Sequence, residues 1–191
     1  MPGDDPLVWI DLEMTGLDAE HDVIVEIACV VTNSELELLD EGIDIVVHQA
    51  PDVLARMDAV VQRMHTKSGL LDEIAASTTS LAEAGADVLA YVRRHVPTAG
   101  QSPLCGNSIG MDRRFLDRYL PEIDQWLHYR SIDVSSLKEL CRRWYPDLYR
   151  KRPSKSEHHR ALDDIVESVH ELRYYRDALF IARTAAAPTT T

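Results

Sequence analysis

The sequence predicts an α/β fold: a mixed sheet flanked by helices in a single domain. Three observations predict it. Strand-like segments come three in succession at the start, helical spacing of apolar residues takes over from Asp52, and two later short strand candidates each run directly into a helical segment. With 191 residues, 45% of them apolar, the chain has the size of one domain with a substantial core.

Leu7–Leu12 is a short apolar run that reads as a buried strand, Val23–Thr32 as a second strand and Leu36–His48 as a third, with Gly, Asn and Asp between them. Consecutive strands predict an antiparallel meander. From Asp52, residues Val53, Met57, Val60, Val61 and Met64 recur at threes and fours, and Leu81–Val96 continues the pattern, so helices are expected to cover the sheet. Pro103–Gly106 precedes a helical segment at Ile109–Leu120, and His128–Ile132 precedes another at Val134–Tyr145, which makes two β-then-α units. Lys151–Glu157 is polar, basic and proline-containing and is expected to be a mobile loop. It leads into a long helix from about His159 to Ala182, striped by Ala161, Ile165, Val169, Leu172 and Leu179. The domain is expected to span residues 1–183. The tail 184–191, TAAAPTTT, has nothing to pack and is expected to be disordered.

Acidic residues number 32 against 20 basic ones, a net charge of −12. Long-range attraction to phosphates is therefore opposed, and long nucleic acid is not an expected partner. A short anion remains compatible, because bound metal ions reverse the local field. Cys29, Cys105 and Cys141 are odd in number and far apart, which suggests small core residues of a reduced, cytoplasmic protein. No stretch approaches the roughly 18 to 20 apolar residues that span a bilayer, so no membrane partner is expected.

The chemistry-bearing residues lie in three segments. In Trp9-Ile10-Asp11-Leu12-Glu13 two acids stand two residues apart at the end of an apolar strand, and period-two geometry points both the same way. A divalent cation is the usual reason for such a pair, against a strand that merely frays into a polar turn. Asp112 lies just inside the helix after the Pro103–Gly106 strand, where a solvated helix-face aspartate is the plain alternative. In Glu157-His158-His159-Arg160-Ala161-Leu162-Asp163-Asp164 a histidine precedes an aspartate by five residues in two registers, His158 with Asp163 and His159 with Asp164. The spacing alone does not choose between them.

Together these segments resemble the three motifs of the DEDD exonuclease superfamily, histidine subtype, in the same order. More closely, WIDLEMTGLD, CGNSIGMDRRFL, HYRSIDVSSLKEL and HRALDDIVESVHELRYYR resemble its oligoribonuclease branch across nearly the whole chain. The resemblance implies an RNase H-like fold, with Asp11, Glu13, Asp112 and Asp164 as ligands of two Mg²⁺ or Mn²⁺ ions. It also implies 3′→5′ hydrolysis of short RNA, two to about five nucleotides long and dinucleotides especially, to nucleoside 5′-monophosphates. The superfamily has alanine two places after its general-base histidine; Ala161 satisfies this for His159, so the implied base is His159. Two ions suit the reaction because they stabilise both the attacking and the departing oxygen, and hard carboxylate ligands suit these ions.

An enzyme that prefers very short RNA has to recognise the far end of its ligand. Arg130 can make a bidentate phosphate contact, and Ser108, Ser135 and Ser136 lie at helix starts, where backbone N–H groups point outward. Without the resemblance the serines are ordinary helix-start residues; with it, the four form a cap on the 5′-phosphate. The resemblance further implies that Leu17 wedges against the bases, that His65 lies in a segment bordering the substrate, and that the enzyme is a homodimer in which Tyr129 reaches the other subunit's active site. Where relatives carry a tryptophan beside the base, this chain has Val60, so a stacking contact of about 1–3 kcal/mol is absent. Two rivals stand beside this reading. A proofreading-type DNA exonuclease shares the metal site but needs a groove for a longer strand, against the net charge, and a catalytically silent binding module has no need of all five catalytic residue types.

Overall fold

The computed structural model describes residues 5–154 and 160–180. His159, its alternative His158, residues 155–157 of the expected loop, the last residues of the expected final helix and the tail 184–191 lie outside the described residues.

The elements run β1 (Leu7–Met14), β2 (Ile24–Thr32), β3 (Ile43–Val46), α1 (Pro51–Leu54), α2 (Ala59–Ser68), α3 (Leu70–Ala76), α4 (Leu81–His95), β4 (Pro103–Gly106), α5 (Gly110–Tyr119), α6 (Pro121–Trp126), β5 (His128–Asp133), α7 (Val134–Trp144), α8 (Pro146–Lys151) and α9 (Ala161–Leu179). One five-stranded sheet has the order β3-β2-β1-β4-β5. β1–β2 and β2–β3 pair antiparallel, β1–β4 and β4–β5 parallel, so the sheet is mixed as expected.

Several segments differ from expectation. The third strand is confined to Ile43–Val46, because the Asn33 carboxamide oxygen accepts the N–H groups of Glu35 and Glu37 at 2.9 Å each and winds the chain into a turn. Leu36 there has φ 66. The apolar spacing from Asp52 runs through two breaks. Asp58 caps a fresh helix by accepting the Val60 and Val61 N–H groups, and Gly69 at φ 80 ends it. Short helices α6 and α8 each open on a proline just past the preceding helix. β1 extends two residues beyond Leu12, which places Glu13 inside the strand.

The pleat of β1 divides the core. Val8, Ile10, Leu12 and Met14 pack with Val88 and Val92 of α4, Phe115 of α5 and Ile123 of α6. Trp9, on the opposite face, packs with Ala28 and Val30 of β2, Val134 and Cys141 of α7, and Ile165, Val169 and Tyr175 of α9. Its indole N–H donates to Thr32 Oγ1 at 3.1 Å, so the buried ring leaves no polar atom unsatisfied. Cys29, Cys105 and Cys141 are buried and unlinked. Because β1, β4 and β5 are parallel, their carboxyl ends lie on one edge of the sheet, where ligand sites of open α/β sheets form.

Candidate functional site

Asp11 and Glu13 share the face of Trp9, the face on which α9 packs. Asp164 comes to them from the first turn of α9. Asp11, Glu13 and Asp164 each offer an oxygen, and these oxygens all lie within 4.8 Å of one another. The β1–β2 register slips just after Glu13, and such an irregularity bends the strand and re-aims its side chains. Glu13 is buried, and burial pushes its carboxyl up to about 8, with Glu26, Asp164 and Asp112 adding repulsion and Arg160 opposing it. So many carboxylates converging on a buried position require positive charge, and hard oxygen donors on one locus fit Mg²⁺ or Mn²⁺.

Asp112, from the first turn of α5, is buried beside this group but stands outside the trio. One of its oxygens accepts the Leu12 N–H at 3.2 Å, which ties the start of α5 to the end of β1. Burial raises its carboxyl to about 6.

His65 of α2 is fully buried and presents no surface to a ligand. Its Nε2 lies 2.9 Å from the Met14 carbonyl and its Nδ1 3.9 Å from Glu13 Oε2, so the ring backs the metal-site strand. Leu17 is 69% exposed on the turn that leaves β1. Asp22 holds that turn, accepting from Thr15 Oγ1 at 3.0 Å and from the Asp18 N–H at 2.9 Å. A Cβ on Gly16 would meet the Asp22 carboxylate at 2.3 Å, so any other residue there would push Asp22 from its place in the turn.

At the ends of β4 and β5 the structure brings Ser108 and Ser135 together, their hydroxyls 3.1 Å apart. The backbone N–H groups of Ser108 and Ser135 do not point freely outward, since both donate to Asp133 Oδ1, at 3.0 and 2.9 Å. Ser136 is exposed. Arg130 extends from β5 with its guanidinium 5.4 Å over the ring of Tyr129, which is 75% exposed and stacked on His128. Val60 is exposed at the start of α2.

Two groups escaped the reading of the sequence. Asn107 Nδ2 donates to Ser168 Oγ at 2.8 Å, while Asn107 Oδ1 accepts from Ser135 Oγ at 3.0 Å and Lys138 Nζ at 3.2 Å, with Lys138 also paired to buried Glu171 at 3.0 Å. Those residues are scattered along the chain, and no spacing links them. The other group is Glu26 with Arg160 and Glu73. Its signal was present, because Glu26 interrupts the apolar run IVEIACVVT just as Asp11 interrupts LVWI.

The comparisons agree with this geometry. An exonuclease family model, RNase T, matches residues 8–172. An oligoribonuclease of Rhodococcus jostii is 58% identical over 177 residues, covering 93% of this chain and 89% of that protein. One of Streptomyces avermitilis is 56% identical over 192 residues, covering 96% of each. Among solved structures, E. coli exonuclease I in complex with an oligonucleotide superposes with a TM-score of 0.72 at 16% identity, covering 92% of this chain and 42% of that one. At that identity the likeness concerns the fold, an RNase H-like one. Among the described residues no helix is long and apolar enough to cross a membrane.

Proposed function

This chain belongs to the RNase T exonuclease family, and from that membership we propose that it is a 3′→5′ exoribonuclease that hydrolyses short oligonucleotides, dinucleotides best, to nucleoside 5′-monophosphates. The observation that carries the reading is the convergence of Asp11, Glu13 and Asp164 at the carboxyl end of β1, in a chain this similar to oligoribonucleases.

Asp11, Glu13, Asp164 and Asp112 would hold two divalent ions, Mg²⁺ or Mn²⁺, which when bound supply Lewis acidity at the attacking and departing oxygens. His159 accepts the proton of the attacking water at an imidazole nitrogen, histidine being the side chain most used for proton transfer near neutral pH. The bond broken joins phosphorus to the 3′-oxygen of the preceding nucleotide. Ser108, Ser135, Ser136 and Arg130 hold the 5′-phosphate. Because Asp133 takes the two backbone N–H groups, this contact falls to the hydroxyls and the guanidinium. Leu17 lies against the bases and His65 supports the substrate side through Glu13. The active form is a homodimer in which exposed Tyr129 reaches the other subunit's site, and the enzyme works in the cytoplasm, in keeping with its unlinked cysteines.

Product analysis by chromatography tests this. Release of nucleoside 5′-monophosphates from the 3′ end should require Mg²⁺ or Mn²⁺ and vanish in Asp164→Asn. His159→Ala should lose at least about 100-fold in kcat while still binding Mn²⁺. Nucleoside 3′-monophosphates as products, or undiminished cleavage in EDTA, would contradict the assignment.

A further inference from the structure

Glu26 lies near the start of β2 and is 0% exposed. It stands directly across from Glu13 in the β1–β2 register, so two acids share one face at neighbouring positions. Left alone, Glu26 would be a further carboxylate crowding the metal locus. Arg160 removes it from that competition: Nε and an Nη reach Glu26 Oε1 at 2.8 and 2.7 Å. The same guanidinium donates in a parallel fork to both oxygens of Glu73 on α3, each at 2.8 Å. One planar cation therefore joins β2 to α3 with three directed hydrogen bonds and a further close ion-pair contact, which a point charge cannot reproduce.

The second oxygen of Glu26 does different work. It accepts the N–H of Ala161, the first residue of α9, at 3.1 Å. Arg160 is the N-cap residue of α9 and offers no side-chain cap of its own. The helix is thus capped from a neighbouring strand, and its first turn is fixed to the sheet at both the side chain and the backbone of one junction. Asp164 follows within that turn, its N–H bonded to the Arg160 carbonyl at 3.0 Å, and its carboxylate is the one that meets Asp11 and Glu13. Arg160 is also joined by one peptide bond to His159.

We propose that Glu26 and Arg160, braced by Glu73, are positioning residues that set Asp164 at the metal locus and fix the chain on which the general base is carried. The inference rests on the functional reading for what that locus binds. Because the net gain of a buried ion pair is small, the role of the Glu26–Arg160 pair is read from the Mn²⁺ site rather than from stability.

Mn²⁺ titration calorimetry on Arg160→Gln and Glu26→Gln tests this, together with kcat and KM on a 5′-phosphorylated dinucleotide and thermal unfolding. Both variants should bind Mn²⁺ about 10–100-fold more weakly and lose kcat to a similar degree, with KM within about threefold. Arg160→Lys keeps the charge without the fork and should remain impaired. A variant that unfolds is replaced by the other, since Glu26→Gln still offers an oxygen to the Ala161 N–H. Native Mn²⁺ affinity in folded Arg160→Gln or Glu26→Gln, or full recovery in Arg160→Lys, would overturn the proposal. If the native chain binds Mn²⁺ and hydrolyses no RNA, the functional reading fails while the positioning role remains measurable.

Discussion

Glu13 shows how a single residue expresses the site before any ligand binds. Its carboxyl is pushed up to about 8 by burial and by Glu26, Asp164 and Asp112, so the folded chain holds that proton more tightly than the unfolded chain does. The contribution of Glu13 to stability is therefore fully present below about 4.5 and is lost as pH rises toward about 8. Asp112 and Asp44, each raised to about 6 by burial, act in the same sense over the lower part of this range. Melting in EDTA at pH values from about 5 to about 8 should show Tm declining, and saturating Mn²⁺ should restore it at the upper end. A Tm that climbs with pH in EDTA would contradict this electrostatic account. At this scale the sequence was informative where residue type breaks a pattern. Asp11 and Glu13 announce themselves by interrupting an apolar run, and Glu26 did so equally but lacked a second acid nearby to suggest a purpose. Asn107 and Lys138 break no pattern, so only the fold reveals their contact.

The elements that carry the site were legible because hydrophobic periodicity is strong in them: β1, β2, α4, α5, α7 and α9 lie within a few residues of their expected bounds. The misread segments are those where a local hydrogen bond overrides the period. Asn33 turns the chain before β3, and Asp58 with Gly69 divides the helical region from Asp52 at points the spacing does not mark. Capping by side chains is worth measuring away from the site. Ser80 and Glu83 form a reciprocal box at the start of α4, with the Glu83 N–H donating to Ser80 Oγ at 3.3 Å and the Ser80 N–H to Glu83 Oε2 at 2.9 Å. Ser80→Ala should cost about 1 kcal/mol, a Tm drop of about 2–4 °C for a chain of this size, with kcat retained because α4 packs on the sheet face opposite Asp11. Calorimetric unfolding beside a turnover assay measures both quantities.

At the scale of the whole molecule, the mixed sheet places three parallel strands so that their carboxyl ends gather several of the candidate groups: the acids after Trp9, the serine after Asn107 and the Asp133 cap with its serine. α7 and α9 cover one face and α4 to α6 the other. Composition anticipated a single domain, and its net charge of −12 is the ground for expecting short rather than long polyanions. It could not anticipate that Asp133 would consume the backbone donors at the far end, because that depends on β4 and β5 lying side by side. On the proposed function, the preference for short RNA would therefore rest on Arg130 and the serine hydroxyls.

Cleavage of 5′-phosphorylated RNAs of two, four, seven and twenty nucleotides, with Mg²⁺, Mn²⁺ or EDTA and with Asp112→Ala as control, tests that claim most directly. The account predicts metal-dependent turnover, fastest on the dinucleotide and lost in the variant. Equal or faster cleavage of the longest RNA would leave the metal chemistry intact and contradict the phosphate cap built from Ser108, Arg130, Ser135 and Ser136.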